Sequence, residues 1–163
     1  MTAAAERAEL AAIGGDLAGL AGAGWRARAL LGANDDAPAT FADLARAPAW
    51  LRGSREELTA LARMVALIAM APALAVSIDG AWLGELAELA GEAALDRAIA
   101  LAPEVPAGGL PPLPAEAVDG LGFDLLRAVT PGALARYLAW GAAGSLPVPA
   151  ELARFCVARA AGE

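Results

Sequence analysis

Behind Ser54, the apolar residues Leu58, Leu61, Val65 and Ile68 follow one another at intervals of three and four. That interval puts side chains on one face of an α-helix, whereas a half-buried strand needs strict alternation. The spacing returns in Leu10, Ile13, Leu17 and Leu20, in Leu83, Leu86 and Leu89 directly after Trp82, and in Val118, Leu121, Leu125 and Val129. No run of β-branched residues alternates, so strands are not expected. The composition agrees: 47 Ala and 25 Leu make up 72 of 163 residues, and both are strong helix formers. The chain reads as all-α, a single compact bundle of about seven to nine short helices over residues 1–163.

Start and stop signals divide the pattern. Gly14 and Gly15 weaken the first helix, Trp25–Leu31 is a short helical piece, and Asn34, Asp35, Asp36 and Pro38 make a loop. Thr40 with Asp43 resembles a capping box, and Ser54 with Glu57 matches S-x-x-E directly. Pro48 ends the helix behind Thr40 or opens a short turn carrying Trp50 and Leu51. Pro72 marks a break, with one further turn through Val76, and Asp79 is the expected N-cap of the next helix. Gly91 kinks or stops that helix, and Leu95, Ile99 and Leu101 continue the apolar pattern. Residues 102–114 hold Pro103, Pro106, Pro111, Pro112 and Pro114 with Gly108 and Gly109, which predicts an internal loop. The 49 residues after it are too few to hold a core alone, so one domain is expected. Thr130 and Pro131 read as N-cap and N1 of a helix with Leu134 and Leu138 inside, ended by Gly141 and Gly144. Pro149 reads as N1 of a last helix that buries Leu152, Phe155 and Cys156.

What is missing narrows the chemistry. The chain has no His, Lys or Gln, its 12 basic residues are all Arg, and Cys156 is its single Cys. Histidine-based catalysis, histidine metal sites and an imidazole switch are therefore excluded. One thiol makes no internal disulfide, Cys-rich zinc site or iron–sulfur cluster. With 19 acidic residues and net charge −7, scattered Arg does not form the cationic face of a nucleic-acid domain. No cofactor is expected.

The longest charge-free run, Met64 to Ile78, has 15 residues and contains Pro72. A membrane span needs about 20 apolar residues, so the run reads as buried helix. Glu6, Arg7, Glu9 and Asp16 give no signal-peptide pattern, and a cytoplasmic location is expected by default.

Four groups of residues could carry function. Glu85, Glu88, Glu92 and Asp96 would share one stripe on a continuous helix, either as a solvated face or as an acidic surface for a basic partner. A di-metal reading fails because such bundles pair Glu with His. Trp50 with Arg52 and Arg55 has the composition of an interface hot spot, and equally that of a core Trp beside solvated Arg; Trp25 with Arg26 and Arg28 is similar. Asp35 and Asp36 lack the third Asp of a DDxxD motif, with Ala39 in its place, and fit a polar turn. Cys156, between Phe155 and Val157, reads as a buried structural thiol.

The segment LIAMAPALAVSIDGAWLGELAELAGEAALDRAIAL, Leu67 to Leu101, resembles the accessory proteins of the type III secretion sorting platform, the SctK group with its YscK, OrgA and MxiK types. The matching positions are Pro72, Leu74, Ile78, Asp79, Gly80, Leu83, Leu86, Gly91, Glu92, Leu95, Asp96 and Ile99. GFDLLRAV and LARYLAWGAAGSLPVP are similar to that family's C-terminal helices, so the resemblance covers about residues 64 to 150. It implies an all-helical, non-enzymatic adaptor linking the inner-membrane ring protein to the pod protein, with no catalytic residue to carry over.

The leading expectation is thus a non-enzymatic cytoplasmic adaptor that works through protein–protein contacts, without nucleic acid and reaching the membrane only through its partners. The candidate partner-binding residues are Glu85, Glu88, Glu92, Asp96, Trp50, Arg52 and Arg55. Two alternatives stay open: a small-ligand-binding or enzymatic helical domain using Arg, Asp and Glu only, and a dimeric helical regulator or chaperone.

Overall fold

The computed structural model describes residues 45–106, 109–138 and 148–162. These are all-α: α1 (Arg55–Val76), α2 (Gly80–Ala90), α3 (Glu92–Ala100), α4 (Ala115–Val129), the one-turn α5 (Gly132–Ala135) and α6 (Ala150–Ala161). Three 3₁₀ turns join them, Ala49–Arg52, Ala102–Glu104 and Arg136–Leu138. Five of the described helices have nine residues or more. The helices expected around Leu10–Leu20, Trp25–Leu31 and Thr40, the Asp35–Asp36 loop, and Trp140 through Gly144 lie outside the described residues.

Helix α1 is the axis of the bundle. Its start is set by the capping box: Glu57 N–H donates to Ser54 Oγ at 3.1 Å, and Ser54 N–H donates to Glu57 Oε2 at 2.6 Å. From Met64 to Ala71 every residue is buried, because α4, α3 and α6 pack around it. A helix apolar on all sides belongs in a core, where each fully buried Leu, Ile or Met contributes about 2 kcal/mol. By length and composition alone this 22-residue helix could cross a membrane, yet 56% of its most apolar window is buried within the fold.

Pro72 does not break α1, which continues through it to Val76. Proline removes one backbone donor and crowds the preceding turn. Here the turn before it is met from outside: the Leu110 N–H donates to Ala69 O at 2.7 Å. Gly109 makes this approach possible, with φ +72° and with a would-be Cβ only 2.5 Å from Ala69 O and 2.9 Å from Pro72 Cδ. The Pro-rich segment is therefore fixed to the bundle by a backbone bond. Pro103 lies in the short 3₁₀ turn and residues 109–114 are irregular, with Val105 buried and Leu110 and Leu113 packed on the core.

Helices α1 and α4 cross without room for a side chain. A Cβ on Gly122 would overlap the Ala62 carbonyl, and Ala62 itself is fully buried. Around this contact Val118, Leu121 and Leu125 fill the core, as the spacing in α4 predicts, joined by Leu126, which the spacing did not name, with Val129 half-buried at the end of the helix. Gly91, at φ +91°, stops α2 rather than kinking it, and α3 begins at the next residue.

Two further expectations shift. Thr130 closes α4 instead of capping α5: it is buried, and its hydroxyl donates back to Leu126 O at 2.7 Å. A Thr side chain that reaches the carbonyl four residues earlier satisfies the end of its own helix. Pro149 occupies the N-cap of α6, one residue before the first helical position. Leu134, Leu138, Leu152 and Cys156 are buried as expected, and Phe155 is half-buried.

Candidate functional site

The C-terminal turn of α1, the start of α2 and the strap Pro112–Leu113–Pro114 enclose an open groove of about 710 Å³. Ala73 and Val76 form its α1 wall, and Trp82 joins it to the strap by donating from Nε1 to Leu113 O at 2.8 Å. Asp79 caps α2, its Oδ1 accepting from Ala81 N–H and Trp82 N–H, each at 3.1 Å. That cap turns the chain sharply after α1 and holds Ser77 and Asp79 on the groove wall.

Ile78, between them in sequence, does not line the groove and is fully exposed, while Val76, which does line it, is 80% exposed. Ile78 precedes the N-cap, where an apolar residue often packs on the fourth residue of the helix, here Leu83. Its full exposure shows that it makes no such staple. These are the two large hydrophobic side chains most open to solvent among the described residues.

Glu85 lines the same groove, and Glu88, one turn on, falls on the same outer face of α2. Glu92 and Asp96 are exposed on α3. The continuous helix that would align all four does not exist, because Gly91 separates α2 from α3. No described residue forms a hydrogen bond or ion pair with any of the four side chains. Trp50 is half-buried against the core in the first 3₁₀ turn, with Arg52 and Arg55 exposed beside it. This second group sits at the opposite end of α1, about 30 Å from the groove at 1.5 Å per residue. The structure brings Glu85 to the groove and leaves Trp50, Arg52 and Arg55 apart from it.

Most other polar groups have structural duties. Arg63 donates from Nε to Asp119 Oδ1 at 2.7 Å, from Nη2 to Asp119 Oδ2 at 3.0 Å and from Nη1 to Leu89 O at 2.9 Å. The hydrogen bond to Asp119 raises the pKa of the guanidinium above its ordinary value, against an opposing effect of burial. Arg159 pairs with Glu104 at 2.6 Å, lies 5.6 Å from the Phe155 ring centre and accepts at its carbonyl from Arg97. Cys156 is fully buried, and burial pushes its thiol up to about 12, which leaves it protonated and unreactive at neutral pH. Among the described residues no group of three or more Cys, Asp or Glu is placed to hold a metal ion.

Sequence reasoning missed Ile78, Val76 and Leu113 as surface features. The available signal was an Ile at the position before the Asp79 cap, directly after a helix end. Comparison with protein-family models, curated proteins and solved structures finds no match to this chain.

Proposed function

We propose that the protein is a non-catalytic cytoplasmic adaptor that binds another protein through the groove between α1, α2 and the Pro-rich strap. The observation that carries this reading is Val76, an aliphatic side chain that lines that groove and is left 80% exposed. An apolar surface of this kind, rimmed by polar groups, is what a protein contact uses. The distribution of titratable groups supports the non-catalytic part: Arg63, Asp119, Arg159 and Glu104 hold helices together, Asp79 caps one, and the thiol is buried. A small-molecule site is less well supported, because Asp79 and Glu85 are the groove's charged lining residues and Asp79 is occupied by capping.

The resemblance of Leu67–Leu101 to the SctK group supports a more specific version, in which the partners are the cytoplasmic domain of an inner-membrane ring protein and the pod protein of a type III secretion system. Titration calorimetry of the full chain against each purified candidate tests it. Micromolar binding to at least one, about −8 kcal/mol, is the expected result. Absence of heat with both at about 100 µM discards the secretion assignment.

A further inference from the structure

We propose that α2 is a hinged flap, which opens as a unit about residues 77–79 and Gly91 and so sets the width of the groove. The inference stands apart from the adaptor reading, because it concerns a wall of the groove and not its occupant.

Helix α2 is closed off from its neighbours at both ends. Helix α1 finishes its hydrogen bonding at Ser77, whose N–H donates to Leu74 O at 3.2 Å. Helix α3 begins on the Gly91 carbonyl, which accepts from Ala94 N–H at 3.1 Å and Leu95 N–H at 3.2 Å. Between these points α2 carries its own ends: Asp79 Oδ1 caps the first turn, and the Gly91 N–H donates to Ala87 O at 2.8 Å. Rotation at the two joints therefore costs α1 and α3 no backbone bond. It disturbs only the local bond from Asp79 N–H to Ser77 Oγ. Both joints suit rotation. Ile78 and Asp79 are exposed, and Gly91 holds φ +91° with nothing within 4 Å of a would-be Cβ. Glycine moves freely between backbone regions that other residues enter only with strain.

What holds α2 down is limited and separable. Leu86 is the one buried residue of its 11, and Trp82, Leu83 and Leu89 are half-buried. Among the described residues, two side-chain bonds tie it to the rest of the fold, Trp82 Nε1 to Leu113 O at 2.8 Å and Arg63 Nη1 to Leu89 O at 2.9 Å. Each partner keeps another attachment when α2 leaves. Arg63 stays paired with Asp119, and the strap stays bonded through the Leu110 N–H to Ala69 O. Helix α1 keeps α4, α3 and α6 around it. Segments with so few buried contacts open at a lower free energy than the whole fold. Ala81, Trp82 and Glu85 ride on α2 while Ala73, Val76 and Pro112 do not, so the same motion widens the groove.

The test is hydrogen exchange of the full-length chain at rising urea, read by mass spectrometry. A detached helix of 11 residues is marginal in water, so the α2 amides exchange whenever the flap opens. Those of residues 83–91 should exchange as one group, about hundredfold faster than residues 66–70 of α1 and with a weaker dependence on urea. Equal rates with equal urea dependence would mean that α2 opens only with the whole fold, which overturns the proposal. Exchange of residues 95–100 in one group with α2 removes the hinge from Gly91 and overturns it as well. Leu86→Cys gives a second readout, with the native Cys156 as control in the same chain. Both positions are fully buried, and only the first lies on the flap. A thiol reagent should label the introduced thiol about hundredfold faster than Cys156. Equal labelling of the two thiols contradicts the flap, and none of these outcomes depends on whether the chain binds a partner.

Discussion

Arg63 of α1 and Asp119 of α4 meet in a two-pronged ion pair, at 2.7 and 3.0 Å, and the third guanidinium nitrogen closes on the last turn of α2 through Leu89 O. One side chain thereby ties together three helices, 56 and 26 residues apart in sequence. Its side chain and that of Asp119 are 29% and 39% exposed, so solvent screens part of the attraction.

Arg63→Ala should cost about 2 kcal/mol in urea unfolding, because it loses packing of the stem and leaves Leu89 O without its donor. Asp119→Asn should cost about 1 kcal/mol, and a double-mutant cycle should return a coupling of about 1 kcal/mol. Additive single effects would show that the pair is ornamental.

Gly122→Ala should destabilise the fold by about 2 kcal/mol although Ala is the better helix former, since the new methyl meets the Ala62 carbonyl. Gly84→Ala is the matched control: it lies within α2 and a Cβ there meets nothing within 4 Å. It should stabilise by up to about 1 kcal/mol. Thermal or urea unfolding of both variants should give opposite signs.

Cys156 gives the protein an alkaline limit. Its folded pKa, about 12, lies above the ordinary value of 9.0. The protonated thiol is thus favoured by folding, and this contribution is fully present below pH 9 and lost as pH rises toward 12. Stability should fall across that window, with a smaller slope in Cys156→Ala measured against its own lower baseline. A thiol reagent should label the native protein only at the rate of unfolding; immediate labelling would place the thiol at the surface.

Trp82→Phe keeps an aromatic ring in the groove and removes the donor to Leu113 O. The cost should be about 1 kcal/mol. The Leu110 amide, bonded to Ala69 O on the same strap, should exchange about tenfold faster with solvent. Unchanged exchange would mean that packing alone holds the strap.

Local chemistry was legible in the sequence and long-range chemistry was not. Ser54 with Glu57, Asp79 before α2 and the Gly91 stop could be read because caps and breaks depend on a few adjacent residues. The core faces of α1 and α4 followed from spacing. Pro72 was misleading because a proline can sit within a helix where packing from elsewhere holds it, and Leu110, which bonds the preceding turn at Ala69 O, is 38 residues away in sequence. Periodicity places Gly122 on a buried face but not against Ala62, and it places Arg63 and Asp119 on helices without pairing them. Of the candidate site, Glu85 was legible as part of an acidic series. Val76 was hidden inside an apolar run, where exposure depends on the turn that Asp79 makes after α1.

The most direct test of the account is the affinity of the full chain for the candidate partner proteins, measured by calorimetry beside its Val76→Asp variant. Because Val76 is 80% exposed, the substitution should leave the melting temperature unchanged. The account predicts about tenfold weaker binding with an unaltered melting temperature. Equal affinity of the chain and its variant would contradict it.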